Sequence, residues 1–569
     1  MPEKRPAEPS VDSWLLHFAG SWRGKTALSF CSVGLMTLAF APVGQFYLAW
    51  VALVPWMLVV AGCRSQRAAF LWGWFVGTLM FLANMWWLAY VTIPGMIALQ
   101  LYLGLYWAFA ALIIRGKGWV SSKYFQSATG VSWILGFSAV WCALEWLRGI
   151  VITGLPWMFL GHTQSPWLVM CQVADALGVY GISFWVAAVN ALVFLLIVNN
   201  GRVRSLAPIA TVAALLGITL GYGLHRRWQT PRMLTAGPRI LLVQPNFPQT
   251  NSGAKGASQQ QMIDFHINAT ARAIQKYGNV DLACWSETMM PALNEAYRTA
   301  IEEFVPSVAM ETNEWFEQVS HLASRDQVNI ITGGLFHARP RIESDRLIFD
   351  DRRNSAFLFR TSGRLDLAHY DKIHLVPFGE YMPFRDSAWL GWLHNLLMRL
   401  SPYDYDYTLT TPGSVENPAV FRLNIKGNPT TRILTPICFE DIDASLCAAL
   451  MRGPGGKRAD LLVNLTNDGW FRGGENAQHL QAALFRSIEN RVPIARSVNT
   501  GISAFIDSYG RVTETVAVRT EGVAVQQVML DSRYTLYTRV GDLFAWLCTL
   551  ITLLLVGFGL VDRWGGRHP

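Results

Sequence analysis

Three short stretches place a carboxylate, an ammonium and a thiol each just behind a strand-like apolar run. They are Trp285-Ser286-Glu287, the run 370–380 containing Lys372 and Glu380, and Pro436-Ile437-Cys438-Phe439-Glu440-Asp441. A thiol reacts as its thiolate and has a free pKa of about 8.5, so a carboxylate that takes the proton makes Cys438 an acyl nucleophile. An ammonium beside it favours the oxyanion developing on the attacked carbonyl, helped by the backbone N–H that follows the nucleophile. Such a trio performs acyl transfer through a thioester. Taken singly, each has a blander reading: a Cys in an apolar strand is usually a packing residue, and a Lys or Glu a surface one. Their common position at strand ends, where α/β folds build their sites, turns that reading around.

The elements that must hold the trio are legible between residues 238 and 528. Apolar runs of strand length at 239–243, 280–285, 328–332, 356–359, 432–434 and 460–464 alternate with helical stretches at 262–276 and 478–488. That alternation predicts layered sheets covered by helices. The charge-dense stretch 340–353 reads as a surface excursion.

The rest of the chain is of another kind. Of 569 residues 52% are hydrophobic and only 15% charged, against about 25% charged in a soluble protein. Together with 24 Trp and 30 Phe, this excludes an ordinary soluble enzyme and a disordered chain. Apolar runs at 26–40, 46–61, 68–90, 97–114, 131–147, 181–198, 207–224 and 543–561 predict about eight transmembrane spans. Connections after the second, fourth and sixth runs are basic (Arg64, Arg67; Arg115, Lys117, Lys123; Arg202, Arg204), while those after the first and third carry no charge. With Lys4, Arg5, Arg563 and Arg567 on the same side, the positive-inside rule puts both termini in the cytoplasm and the soluble region outside. The expected organisation is a tail at 1–25, seven spans in 26–224, an exported catalytic domain at 238–530, a last span at 543–561 and a tail at 562–569. His225, Arg226, Arg227 and Arg232 break the charge rule; they read as a contact to lipid phosphates or as a domain brace. The net charge of +8 follows from these loops and is no nucleic-acid footprint.

Glu145 and Arg148 stand three apart at the end of the fifth run, as a structural ion pair or a headgroup-binding pair. The stretch 153–166 behind them is too apolar for a solvated loop and too broken by Gly and Pro for a helix, and predicts an interfacial or re-entrant segment. Trp157 and Trp167 are anchors there or line a passage for an acyl chain. The eight cysteines contain no Cys-x-x-Cys pair, and no P-loop appears, so neither a metal, a disulfide scaffold nor a cofactor is expected. His374 and His479 read as structural or substrate-contacting residues.

Glu287, Lys372 and Cys438 in these contexts resemble the Glu-Lys-Cys triad of the nitrilase, or carbon–nitrogen hydrolase, superfamily. The run 372–383 (Lys-Ile-His-Leu-Val-Pro-Phe-Gly-Glu-Tyr-Met-Pro) resembles the signature of the apolipoprotein N-acyltransferases, as do 467–471 (Asn-Asp-Gly-Trp-Phe), 486–493 and 499–503. In the apolar half, 145–148 (Glu-Trp-Leu-Arg), 153–157 (Thr-Gly-Leu-Pro-Trp) and 178–183 match as well. The resemblance implies an α-helical transmembrane bundle joined to an α/β nitrilase-like α-β-β-α sandwich, in the bacterial inner membrane with its catalytic domain periplasmic. It implies transfer of a fatty acyl chain from a phospholipid to the α-amino group of a lipoprotein's diacylglyceryl-cysteine, the last step of lipoprotein maturation. Cys438 would be nucleophile, Glu287 general base and Lys372 the oxyanion's partner. Glu380 and Glu440 would orient them, with Phe439 donating its N–H. Trp157, Trp470, Asn467, Arg148 and Glu145 would meet substrate.

Two departures stand out. The run 244–249 (Gln-Pro-Asn-Phe-Pro-Gln) keeps the family pattern only in part, and the Lys-Trp pair expected just after it is missing; Phe439 stands where a Tyr often follows the nucleophile. Two rival readings remain: a membrane-anchored amidase, which would need only one span, and a transport or scaffold protein, which would be expected to have lost a triad member.

Overall fold

A computed structural model describes residues 17–115, 130–199, 205–250, 255–344, 346–385, 387–400, 408–412, 414–425 and 430–565. Lys4, Arg5, Lys117, Lys123, Arg202, Arg204, Arg567 and the side chain of Arg563 lie outside them. The chain divides into two compact units, residues 1–227, 473–481 and 542–569 forming one and 228–472 and 482–541 the other.

The first unit is built from α1 (Trp22–Ala39), α2 (Val54–Ala61), α3 (Gln66–Asn84), α4 (Ile93–Arg115), α5 (Val131–Ile150), α6 (Ala174–Val198), α7 (Ala207–Gln229, continuing into the second unit) and the C-terminal helix Leu543–Gly565. Ser21 and Ser65 cap α1 and α3 by accepting from Gly24 N and Ala68 N, the usual way to satisfy a first-turn donor. Helices α3 and α4 approach closely because Gly77 faces Trp107, where a Cβ would lie 2.6 Å from that side chain. Trp56, Trp107 and Trp141 meet edge to face with centroids 5.1–6.0 Å apart, which fixes α2, α4 and α5 around one aromatic knot.

Among the described residues, four segments are long and apolar enough to cross a membrane: Ile93–Arg115, Ala174–Val198, Ala207–Arg232 and Leu543–Val561. The expected span at 46–61 is not one rod. It is a 3-10 turn, Phe46–Trp50, and an eight-residue helix restarted at Pro55, about 12 Å long at 1.5 Å per residue. The run 68–90 likewise ends its helix at Asn84 and continues as a 3-10 turn, Trp86–Tyr90. Helices α1, α3 and α5 carry Lys25, Arg67, and Glu145 with Arg148, respectively.

The second unit holds two six-stranded sheets. Strands β1 (Leu234–Gln244), β2 (Leu282–Met290), β3 (Asn329–Glu343), β4 (Arg346–Phe359) and β5 (Tyr370–Asp371) form the first, with β14 (Gly522–Asp531) at its edge beside β1. Strands β6 (Phe421–Leu423), β7 (Thr431–Leu434), β10 (Leu461–Thr466), β11 (Ile494–Val498), β12 (Ser503–Ile506) and β13 (Val512–Val516) form the second; β8 (Arg452–Gly453) and β9 (Gly456–Lys457) make a separate hairpin. Strands β1, β2 and β3 run parallel, as strands joined through helices must. Those helices are α8 (Gln259–Tyr277), α9 (Glu295–Phe304) and α10 (Pro306–Arg325); α11 (Ala444–Met451) and α12 (Glu475–Asn490, whose first turns belong to the other unit) lie in the second half.

Period-two alternation sends Leu241, Val243, Ala283 and Trp285 into one cluster with Ile263, Ala273, Val319 and Leu322 of α8 and α10. The sheets' other faces meet each other, and Ser497 Oγ of β11 donates to the Cys284 carbonyl of β2 at 2.9 Å. The surface excursion at 340–353 is a regular hairpin: β3 and β4 pair antiparallel from Ile330 and Phe359 out to Glu343 and Arg346, and its outer half is solvent-facing and charged.

Candidate active site

Each trio member sits where a strand's regular pairing is broken or has ended. Glu287 follows the regular part of β2, where pairing with β3 slips between Trp285 and Met290 and Thr288 takes φ +54°. A Cβ on Gly333 would lie 2.6 Å from the Glu287 Cα, so only a glycine on β3 accommodates that bulge. Lys372 comes directly after β5, its N–H donating to the Asn354 carbonyl at 2.8 Å. Cys438 opens a 3-10 turn, Cys438–Ile442, at φ +51°, a conformation a non-glycine residue holds at a cost of about 1–3 kcal/mol and that clusters at functional sites.

Lys372 Nζ donates to Glu380 Oε1 at 2.8 Å and to Glu287 Oε1 at 3.3 Å. Asn354 Nδ2 bridges the same two oxygens at 3.1 and 2.7 Å, and Glu380 Oε2 accepts from Val376 N at 2.8 Å. Lys372 is 1% exposed and Glu287 5%. Burial pulls the Lys372 ammonium down, but Glu287 and Glu380 outweigh it and hold it well above its ordinary value. Burial raises the Glu287 carboxyl, with Lys372 opposing and Glu380 adding; a base moved toward neutrality suits proton transfer. Burial and the charge of Glu287 push the half-buried Cys438 thiol well up, and Lys372 pulls it down.

Glu440 is a staple between two loops. Its Oε1 accepts from Ile373 N at 2.7 Å and His374 N at 3.0 Å, its Oε2 from Ile437 N at 2.7 Å and the Tyr370 hydroxyl at 3.0 Å. The loop carrying Lys372 is thereby tied to the turn carrying Cys438. His374 adds a second tie, Nδ1 to Asp443 Oδ2 at 2.9 Å, and packs edge to face on Phe439. From below, Asn464 Nδ2 donates to the Pro436 carbonyl at 3.1 Å.

Asn354 and Lys255 are residues that sequence reasoning missed. Asn354 is a buried amide inside β4, between Arg353 and Ser355, and nothing in that polar run singles it out. Lys255 stands six residues past Gln249, but a bridge between Gln249 and Lys255 folds the loop back, so its ammonium donates to the Thr288 carbonyl beside Glu287. Burial brings that lysine down to about 8, with Glu287 opposing.

Other expected residues are placed differently. Asn467 braces a turn: its Oδ1 accepts from Gly469 N at 3.1 Å and Asn499 Nδ2 at 2.9 Å, and its Nδ2 donates to Gln249. Trp470 is half-buried in the 3-10 turn Asp468–Trp470. In the helical unit Glu145 and Arg148 are both buried but do not pair with each other. Glu145 Oε1 accepts from Trp141 Nε1 at 3.0 Å and Leu160 N at 2.6 Å; Arg148 donates to the carbonyls of Leu155, Trp157 and Met158 at 3.3, 2.5 and 3.3 Å. The expected ion pair is replaced by two braces on the broken segment, since its carbonyls have no helix to bond within. Trp157 is buried, donates to Gln478 Oε1 at 3.0 Å and packs on Trp87 and His479.

A half-buried thiol with a buried carboxylate and a buried ammonium, at a strand bulge, a strand end and a 3-10 turn of an α/β unit, is the arrangement expected of an acyl-transferring enzyme of the carbon–nitrogen hydrolase kind. Residues 239–537 match the carbon-nitrogen hydrolase family, and residues 32–192 the apolipoprotein N-acyltransferase N-terminal domain. The chain is 30% identical to an apolipoprotein N-acyltransferase of Geobacter metallireducens over 90% of this chain and 91% of that one. It is 29% identical to another of Bradyrhizobium diazoefficiens over 96% and 97%. An amidase from Nesterenkonia sp. of known structure aligns at 17% identity and a TM-score of 0.35, covering 54% of this chain and 95% of that one. The chain belongs to the apolipoprotein N-acyltransferase family.

Proposed function

We propose that this protein is a membrane acyltransferase that moves a fatty acyl chain from a phospholipid to the α-amino group of an apolipoprotein's diacylglyceryl-cysteine. Its chain lies in the bacterial inner membrane with about eight spans, seven before and one after a periplasmic catalytic domain of residues 238–530. The observation that carries the reading is the cluster of buried Glu287 and Lys372 with half-buried Glu380 beside Cys438, in a chain of this family.

Glu287 takes the thiol proton as the sulfur attacks the ester carbonyl. The oxyanion is met by Lys372 and the Phe439 N–H, groups that together account for several kcal/mol of barrier lowering. Collapse expels the lysophospholipid, which leaves with the proton from Glu287, and the acyl group stays on Cys438. The lipoprotein amine then attacks that thioester, gives its proton to Glu287 and leaves as an amide while the thiol is restored. Glu380 and Glu440 hold Lys372 and the nucleophile turn in register, and Trp157, Trp470, Asn467, Glu145 and Arg148 shape the approach of substrate.

Labelled phospholipid is expected to leave a hydroxylamine-sensitive acyl label on Cys438 that is absent from Cys438→Ala. A label that persists in that variant sinks the mechanism. Adding a diacylated lipopeptide should move the label to its amine; free fatty acid formed equally with and without the peptide would make the enzyme a hydrolase.

A further inference from the structure

The stretch 486–503 plays no part in the chemistry above, yet it sends a buried cation under the nucleophile. Arg496, on β11, is fully buried. Its Nε donates to Asp441 Oδ2 at 3.2 Å and its Nη1 to the Ile502 carbonyl at 3.1 Å, and its Nη2 lies 3.6 Å from Asp468 Oδ2. Asp441 belongs to the 3-10 turn that Cys438 opens, three residues on. Asp468 opens the turn that ends in Trp470. Both carboxylates are 1% exposed. Room for Asp468 is left by Gly501, since a Cβ there would run into its carboxylate. Two carboxylates buried around one guanidinium form a stable arrangement only while the cation is present.

The charge balance at the thiol makes this more than bracing. Among the described residues, the charged groups that act most strongly on Cys438 are Glu287, Asp468 and Glu380, which disfavour its thiolate, and Lys372, which favours it. Asp468 is the carboxylate of this set that has a buried guanidinium beside it, so Arg496 stands where it can offset that charge.

We propose that Arg496 is a positioning residue for the nucleophile: its guanidinium joins the Cys438 turn to the Trp470 turn and offsets the charge of Asp468 and Asp441, so that these carboxylates disfavour the Cys438 thiolate less. The proposal rests on the reading of Cys438 as the nucleophile.

The test is the pH dependence of Cys438 alkylation by iodoacetamide in the full-length, detergent-solubilised protein, followed on its own peptide by mass spectrometry. R496Q should move the midpoint up by about one pH unit, roughly tenfold slower alkylation at a fixed pH below it. D468N should move it down, and R496Q/D468N should return toward the starting profile. A folded R496Q with an unchanged profile overturns the proposal, and so does a D468N that alkylates no faster. Should R496Q fail to accumulate, D468N decides alone, because its amide keeps the shape of the carboxylate and removes only charge. The underlying reading fails differently: there Cys438→Ala would keep its transferase activity, a result on which the alkylation profile has no bearing.

Discussion

Both units bury ionisable side chains, but they point them at different things. In the catalytic unit Lys372, Glu287 and Glu380 face one another, so each fixes the charge state of the next. In the helical unit Glu145 and Arg148 face backbone, the one accepting from Leu160 N and the other donating to three carbonyls. The difference separates two uses of a buried charge. One tunes a reacting group; the other substitutes for the hydrogen bonds a broken helix lacks.

Removing a member of each set should therefore fail in different ways. Lys372→Met leaves buried Glu287 and half-buried Glu380 without their cation. Acyl transfer should drop by roughly 10³-fold, the scale of losing an oxyanion donor, and stability by about 3–5 kcal/mol, read by single-turnover transfer and denaturant unfolding. Lys372→Arg should restore stability better than rate, because a planar fork does not put its charge at the Nζ position. A Lys372→Met protein as stable as the original would break the claim that these charges depend on each other. Arg148→Met should instead open the segment 151–160, at about 2–4 kcal/mol for lost charged hydrogen bonds, seen as faster proteolysis there. Its Cys438 alkylation profile should not move; a shift would mean the two kinds of charge are not separate. Asn354→Ala loses donors to Glu287 and Glu380 and should slow transfer roughly tenfold. Asn354→Asp should be worse, as it adds a third carboxylate to the pair.

How much of this could be read from residues alone follows the same division. The triad was legible because strand-like runs end in polar residues of unlike chemistry, and Glu287, Lys372 and Cys438 do come to one end of the sheets. Strands β1 to β4, β7 and β10 were legible from apolar runs; β11 and β14 were not, because Arg496, Ser497 and Gln526 interrupt their pattern, and buried partners such as Asp441 for Arg496 are invisible until the sheets are assembled. The break inside the run 46–61 was not legible because composition reports apolarity and not continuity, and nothing in it but Pro55 marks where the helix restarts. Glu145 and Arg148 have the spacing of an ion pair, but the carbonyls of 155–158 compete for Arg148 and win. Lys255 was hidden by a loop whose return across Gln249 no local spacing announces.

The smallest expected effect concerns the tie between His374 and Asp443, which is a charge pair facing another charge and so belongs to the tuned set. Burial lowers the His374 imidazole, but Asp443 outweighs it and leaves it raised; burial raises Asp443, and His374 with backbone and Ser445 donors leaves it lowered. A raised histidine contributes stability that is full below its unfolded pKa of about 6.5 and lost as pH rises through the folded value. A lowered aspartate contributes stability that is full above about 3.9 and lost as pH falls through its folded value. The tie is thus strongest between about pH 4 and 6.5. His374→Phe, which keeps a ring against Phe439, should cost about 1 kcal/mol near pH 6 and less at pH 9, measured as the difference in melting temperature from the unaltered protein. The cost should not vanish at pH 9, because a neutral imidazole still donates from Nδ1 to the Asp443 carboxylate. A cost that is equal at both pH values would make the contact an ordinary hydrogen bond, and His374 would then stand with Arg148 among the braces.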